Sequence, residues 1–289
     1  MSFMRPSIEQ LIKISSQQLA ATSDTAKLDV ELLLARSLGK SRTYLFTWSD
    51  KLVSVDEEKV FHELFRRRLK GEPIAYILGQ QEFWDLSLNT APHTLIPRAD
   101  TETLIEWGLD LSIGLADNAK VIDLGTGTGA IALALAKECP NWQVQGVDLM
   151  PQAVALAQRN AIINNLERVH FYQSSWFANV SGQFELIVSN PPYIDPDDEH
   201  LSLGDVRFEP RSALIANNKG LADLELIAQQ SRDYLSDGGW LLMEHGYDQQ
   251  EALQQILIRL GYQQVTTRLD LGGNPRITGG QFFKDISFK

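Results

Sequence analysis

Residues 121–130 read V-I-D-L-G-T-G-T-G-A. A short apolar run, Val121–Leu124, ends in three glycines spaced by threonines, and a second apolar run, Ala130–Lys137, follows at once. The first run is too short for a helix and passes straight into a helical stretch, so it predicts a buried strand feeding a helix. Gly125, Gly127 and Gly129 allow backbone conformations closed to side chains and let the chain approach a ligand closely. A plain turn has no need of three glycines in five residues. The next strand, Gln143–Asp148, ends in an acid nineteen residues past Gly129, where a carboxylate can accept both hydroxyls of a ribose.

The same alternation continues toward the C-terminus. Pro151 takes the first-turn position of a helix to about Asn164. Strands are predicted at Val169–Gln173, Phe184–Ser189, Trp240–Glu244 and Gln264–Asp270, and helices at Leu221–Leu235 and Gln249–Leu260. Alternation of this kind predicts an α/β fold, a mostly parallel sheet with helices on both faces. Residues 1–73 read differently, as a small helical bundle. Ser7 with Gln10 and Ser54 with Glu57 match capping boxes. A middle helix carries Leu28, Leu32, Leu33 and Leu34 and ends near Gly39. After Ser54, Val60, Phe61, Leu64, Phe65 and Leu69 recur at helical spacing, with Gly71 as the terminator and Pro73 as the stop. Residues 74–95 break into short apolar pieces and read as a β-hairpin linker, which leaves 96–289 as the α/β domain.

The ligand of the glycine loop is constrained by spacing and charge. A dinucleotide fingerprint is G-x-G-x-x-G, and here the third glycine comes one residue early. Asp123 also precedes the loop, and a pyrophosphate at the helix N-terminus would meet that extra negative charge. A cationic aminoacyl group would be welcomed by it, which favours S-adenosyl-L-methionine over NAD. Trp176, in Q-S-S-W-F, is suited either to cover an adenine face or to fill the core.

The second informative stretch is I-V-S-N-P-P-Y-I-D, residues 187–195. Two prolines cannot donate to a sheet ladder and hold the preceding residue extended, so the strand stops at Ser189 or Asn190. Asn190 and Tyr193 then sit on a stiff corner at the strand's carboxyl end, where open α/β sheets bind ligands. D-x-G-x-G-x-G followed by N-P-P-Y resembles the S-adenosylmethionine-dependent enzymes that methylate nitrogens attached to planar systems. Such a nitrogen has a delocalised lone pair. Two acceptors on its hydrogens, the Asn190 side-chain oxygen and the Pro191 carbonyl, would orient it and bear its developing positive charge. Tyr193 could stack on the planar group. The motif by itself leaves adenine, cytosine, guanine and glutamine amide nitrogens open.

Five further stretches narrow the choice: G-E-P-I-A-Y-I-L-G-Q-Q-E-F-W (71–84), L-I-P-R-A-D-T-E (95–102), S-N-P-P-Y-I (189–194), D-V-R-F-E-P-R-S-A-L (205–214) and D-L-G-G-N-P-R (270–276). In order and spacing the chain resembles the PrmC/HemK family of protein-glutamine N5-methyltransferases. The resemblance implies a seven-stranded Rossmann-like methyltransferase domain behind the helical bundle. It implies methylation of the glutamine in the Gly-Gly-Gln loop of class I peptide chain release factors. Gly125, Thr126, Gly127, Thr128 and Gly129 would line the cofactor, with Asp148 on its ribose, Trp176 near the adenine and Asn190 alongside. Asn190, Pro191, Pro192 and Tyr193 would hold the glutamine, with Asn190, Pro191 and Tyr193 at the reacting nitrogen. The N-terminal helices would help dock the release factor. Ala99 departs from the proline found in the P-R-P-D-T-E form of the family motif, a change that loosens a loop without touching the chemistry.

Composition limits the alternatives. The formal net charge is −11, which disfavours direct nucleic-acid binding. The single cysteine excludes a disulfide framework, the five histidines lack metal-ligand spacing, and no apolar stretch is long enough to span a bilayer. These features together predict a cytoplasmic protein without a metal. A ribosomal-protein glutamine methyltransferase, a nucleic-acid amino-methyltransferase and a cofactor-binding protein without catalysis are the competing readings. Arg98 and Glu209 are expected either to brace the active-site loops or to form a surface ion pair. The acidic run 195–199 reads as a solvated loop or a contact for basic residues. The chain's own G-G-Q, at 279–281, reads as a turn into a last edge strand rather than a methylation target.

Overall fold

A computed structural model describes residues 5–284. Two compact units are present: the chain up to Gly79 with Leu203–Phe208, and Gln80–Ser202 with the chain from Glu209 onward.

The first unit is helical: α1 (Ile8–Leu19), α2 (Ala26–Leu38), α3 (Arg42–Thr47), α4 (Val55–Leu69) and α5 (Ile74–Leu78). Both expected capping boxes form, Ser7 with Gln10 and Ser54 with Glu57. Gly39 ends α2 at φ 61°. The core is built on Ile8, Leu19, Leu33, Leu34, Phe61 and Phe65, the last two stacked at 5.5 Å. Leu28, Val60 and Leu69 lie exposed instead of in this core. On α2 the inward face carries Val30, Leu33 and Leu34, and places Asp29 and Glu31 in buried positions. Those acids are matched by cations: Arg68 Nε donates to Asp29 at 2.7 Å and Arg42 to Glu31 at 2.6 Å. Arg68 also reaches Asp205 at 3.1 Å. Ile74–Leu78, expected as the start of a hairpin, is one helical turn. Pro73 at the N-cap presets its entry and Gly79, at φ 74°, closes it.

The second unit is a seven-stranded sheet with a separate hairpin. The hairpin spans only β1 (Gln80–Phe83) and β2 (Leu86–Asn89). Its turn residues Trp84 and Asp85 both have positive φ, the twist that two-residue hairpins require. The sheet holds β3 (Lys120–Leu124), β4 (Gln143–Asp148), β5 (His170–Gln173), β6 (Phe184–Ser189), β7 (Leu235–Glu244), β8 (Gln263–Leu269) and β9 (Pro275–Phe282). Their order is β5-β4-β3-β6-β7-β9-β8, parallel except for β9, which runs antiparallel to both neighbours. Helices α6 (Glu102–Leu111), α7 (Ala130–Glu138) and α8 (Pro151–Ile163) supply one apolar cluster, and α9 (Ala222–Tyr234) and α10 (Gln250–Arg259) the other.

Strand parity explains which residues meet which layer. Val121, Leu186, Val188 and Leu242 face the first cluster, and Ile122, Leu124, Ile187, Leu241 and Met243 the second. A strand buried on both faces reads as a mostly apolar run without strict alternation, which is why β3 and β6 were legible despite Asp123 and Glu185 within them. β7 begins at Leu235 rather than Trp240. Its S-D-G-G segment looks like a loop but pairs through an irregularity opposite Phe184, where the Ser236 hydroxyl donates to the Phe184 carbonyl at 2.9 Å.

Gly279 and Gly280 are the clearest departure. They lie in the middle of β9, which is paired on both sides and is neither a turn nor an edge. Their glycines serve close packing: a Cβ on Gly279 would stand 2.4 Å from Leu242 Cδ2. Gln281 pairs with Trp240, away from the carboxyl end of β7, and its side chain donates to the Gly238 carbonyl at 2.7 Å.

His245, just past β7, is fully buried and sets a pH dependence. Its Nδ1 faces the Gly246 carbonyl at 2.8 Å and so carries the proton, while Nε2 accepts the Thr278 hydroxyl at 2.7 Å. Burial holds it below its ordinary 6.5. The unfolded chain therefore takes up the proton first, and this contribution to stability is lost as pH falls from about 6.5 toward the depressed native value. Asp123 acts in the opposite sense: burial raises it from 3.8 to about 7, so it favours the native state as pH falls through that range. A difference curve separates the two. The stability gap between wild type and His245→Gln narrows below pH 6.5 by up to about 1.4 kcal/mol per pH unit. A gap independent of pH in denaturant melts would show that His245 titrates alike in both states.

Candidate active site

The chain passes from β3 to β4 on one side and returns to β6 on the other, which opens a crevice at the strands' carboxyl ends. A cavity of about 260 Å³ lies there. Gly125, Thr126, Gly127 and Thr128 line it from the end of β3, Asp148 from β4, Trp176 from beyond β5, and Asn190 and Pro192 from beyond β6. Of the residues expected at the site, Gly129, Pro191 and Tyr193 do not line it.

The loop conformation follows from its glycines. Gly125, Gly127 and Gly129 have φ of 70°, 55° and 84°. A Cβ on Gly125 would stand 3.3 Å from Trp176 Cζ3, so the missing side chain lets the indole lie close to the loop. The Thr126 amide donates to the Val147 carbonyl at 2.9 Å, and the buried Asn160 amide donates to the Thr128 carbonyl at 2.8 Å. The loop is thus fixed from two sides.

Asp123 does not face the cavity. It sits on the α7 side of the sheet, fully buried, with Oδ2 accepting the Thr126 hydroxyl at 2.6 Å and Oδ1 without a hydrogen-bond partner among the described residues. Its contribution to a cationic ligand is therefore indirect, through the loop it holds. Asp148 does line the cavity. Its Oδ2 accepts the Gly127 amide and its Oδ1 the Met150 amide, each at 2.9 Å, which fixes the carboxylate while leaving each oxygen a further lone pair. Burial raises its pKa, against the pull of those two amides and of His93.

The corner after β6 is braced from several directions. The Ser189 hydroxyl donates to the Leu124 carbonyl at 2.8 Å. Asn190 Nδ2 donates to Thr101 Oγ1 at 3.3 Å, the Thr101 hydroxyl donates to Glu244 Oε2 at 2.6 Å, and the Tyr193 hydroxyl donates to Glu244 Oε1 at 3.1 Å. Among the described residues Asn190 Oδ1 accepts no hydrogen bond, and neither does the Pro191 carbonyl. Burial, and then the neighbouring Glu244, pushes the Tyr193 hydroxyl far above its ordinary range. Burial likewise raises Glu244, against Thr101, Tyr193, Arg276 and Arg98. Arg98 donates to Glu209 at 3.0 Å, and Glu209 is buried, so this pair braces the interior and is not a surface bridge. Arg276 joins Asp270 at 3.2 Å and Asp100 at 3.5 Å, which gives the 270–276 and 95–102 stretches a common structural purpose. Thr101, Glu244, His93 and Asp223 escaped the sequence reading. An acid at the end of an apolar strand, as in L-L-M-E, was the one signal available for Glu244.

The cavity lining carries two carboxylates, Asp148 and Asp223, and among the described residues no lysine or arginine. A pyrophosphate would find no counter-charge there, whereas a nucleoside with a cationic tail would. That donor set, with the loop held open by glycines, fits S-adenosyl-L-methionine. A sheet of this order, with its antiparallel β9 and a cavity at the strands' carboxyl ends, is a methyltransferase fold. A solved methyltransferase from Pyrococcus furiosus shares the fold, with a TM-score of 0.52, 19% identity and coverage of 75% of this chain and 96% of that one.

Family models match the PrmC N-terminal domain over residues 10–79 and the methyltransferase small domain over residues 109–234. A curated relative from Aliivibrio fischeri, named release factor glutamine methyltransferase, is 52% identical over 98% of this chain and 100% of its own length. One of the same name from Shewanella oneidensis is 52% identical over 95% and 96%. The chain belongs to the release factor glutamine methyltransferase family.

Proposed function

We propose that this enzyme methylates the side-chain nitrogen (N5) of the glutamine in the Gly-Gly-Gln loop of class I peptide chain release factors, with S-adenosyl-L-methionine as donor. The observation that carries this reading is the corner after β6. It offers the Asn190 oxygen and the Pro191 carbonyl, two acceptors free of partners among the described residues, beside a cavity suited to the donor. An amide –NH₂ carries two hydrogens, and two fixed acceptors orient it and stabilise the charge it gains. Bound S-adenosyl-L-methionine supplies an electrophilic methyl group on a sulfonium. Asp148 would hold the ribose hydroxyls, with Gly125, Thr126, Gly127 and Thr128 beside the cofactor and Trp176 near its adenine. Pro192 and Tyr193 form the substrate side of the corner, with Tyr193 anchored through Glu244.

The helical unit is assigned to docking the release factor. Phe46, Trp48 and Leu52 expose large apolar side chains there, a composition suited to a protein partner. A cytoplasmic location follows from that partner. Trp48→Ala is expected to raise KM for the release factor about tenfold, the size of an ordinary aromatic hot spot, with kcat unchanged. An unchanged KM would remove Trp48 from the docking surface. Asp148→Ala is expected to weaken cofactor binding by about 10- to 100-fold, the range for hydrogen bonds to a charged group. Calorimetry with S-adenosylhomocysteine reads this directly, and wild-type affinity would overturn the ribose assignment.

The decisive experiment is methyl transfer from labelled cofactor to purified release factor, with the Gly-Gly-Gln glutamine intact or replaced. Ribosomal protein and DNA serve as parallel acceptors. Label only with the intact glutamine supports the assignment, and label on another acceptor overturns the partner.

A further inference from the structure

Asn190 serves the proposed reaction in only one of two orientations. With Oδ1 toward the substrate it accepts the amide hydrogens. Turned over about its last torsion it presents Nδ2 hydrogens, which repel them. The two orientations have nearly the same shape, so hydrogen bonding must choose between them. The nearest partner, Thr101 Oγ1 at 3.3 Å, is a hydroxyl, and a hydroxyl can donate as well as accept.

Thr101 has already committed its one proton. Its hydroxyl donates to Glu244 Oε2 at 2.6 Å, a short hydrogen bond. Burial raises the pKa of Glu244, and this bond together with Arg276 and Arg98 favours the carboxylate against it. The other carboxylate oxygen is occupied by the Tyr193 hydroxyl at 3.1 Å. Glu244 is 1% exposed, so water does not compete for these positions. A threonine whose proton points at Glu244 can only accept from Asn190, and only Nδ2 can donate. We propose that Glu244 and Thr101 form a positioning relay that locks the Asn190 side chain with Oδ1 toward the substrate nitrogen. Neither is a catalytic residue: Thr101 acts through Asn190, and Glu244 through Thr101 and Tyr193. The proposal rests on the role given to Asn190 above. Thr101 and Glu244 stand 143 residues apart in the chain, at the start of α6 and the end of β7.

The test compares Thr101→Val, which keeps the shape and removes the hydroxyl, with Thr101→Ser, which restores it, and Thr101→Ala as a second deletion. Three quantities are read: kcat, affinity for S-adenosylhomocysteine, and the side-chain NH₂ resonance of Asn190 in ¹⁵N-asparagine-labelled enzyme without substrate. Thr101→Val and Thr101→Ala are expected to lower kcat by about 10²-fold, the size of effect when one preorganised transition-state group is lost. Their cofactor affinity should hold, and the Asn190 amide signal should lose its bonded-hydrogen shift. Thr101→Ser should recover both rate and signal. Wild-type kcat in Thr101→Val, an unaltered Asn190 signal, or a Thr101→Ser as slow as Thr101→Val would each overturn the relay. Absence of glutamine methylation by the wild-type enzyme would instead defeat the proposed function, and the Asn190 signal would still decide the relay.

Discussion

Replacing Asn190 by alanine lowers methyl transfer by about 10²- to 10³-fold while leaving affinity for S-adenosylhomocysteine largely intact, the expected loss for one oriented group at a developing charge. The direction follows from the geometry. Asn190 Nδ2 is committed to Thr101, and Oδ1 is the atom left over for a substrate hydrogen. An amide nitrogen is a weak nucleophile until both of its hydrogens are held, and the Pro191 carbonyl alone would hold one. Cofactor affinity should survive because the loop and Asp148 are fixed by their own bonds, from Asn160, Val147, Gly127 and Met150. The measurement is a single-turnover rate with labelled cofactor, paired with calorimetry. Normal turnover would remove Asn190 from the chemistry. A rate loss matched by an equal loss of cofactor affinity would move it to the cofactor side.

What the sequence disclosed about this site was encoded by consecutive residues. Glycines at 125, 127 and 129 state that the backbone needs positive φ, and two prolines after Asn190 state that the ladder ends there. The runs Val121–Leu124 and Phe184–Ser189 place apolar residues on both faces, so each reads as a buried strand even though Asp123 and Glu185 interrupt it. Glu244 and Thr101 were hidden because their pairing crosses from a helix start to a strand end, and no local period reports it. Leu28 was misplaced for a related reason. Asp29 and Glu31 turn inward to meet Arg68 and Arg42, and a pattern that counts only leucines misses an ion-paired interior. Gly279 and Gly280 show the converse error: glycine signalled a turn where the missing side chains let β9 lie against Leu242 and Trp107 at Gly279 and against Tyr262 and Val265 at Gly280.

The same distinction between a glycine needed for its φ and one needed for its missing Cβ separates two substitutions. Gly220→Ala should be among the most damaging single-methyl changes in the chain. Gly220 has φ 78°, and a Cβ there would stand 1.9 Å from the Tyr193 carbonyl oxygen and 2.5 Å from Gln249 Nε2. Gln249 Nε2 donates to the carbonyls of Tyr193 at 2.8 Å and Lys219 at 3.0 Å, so the methyl group would enter the seat on which the corner rests. Gly261 is the control, with φ 89° and, among the described residues, nothing within 4 Å of its Cβ position. Gly261→Ala therefore carries only backbone strain, about 1–3 kcal/mol. Gly220→Ala carries that strain plus displacement of a backbone carbonyl, about 1–3 kcal/mol more if it behaves like an overpacked core. The corner must shift for the methyl to fit, and a misplacement of about 1 Å can slow a positioned reaction about 10²-fold. Melting curves and transfer rates for the two variants give the answer together. Gly220→Ala should lose both stability and rate, and Gly261→Ala only part of the stability. Equal effects on both properties would mean that the Tyr193 corner yields freely, and the rigidity assigned to N-P-P-Y would have to be abandoned.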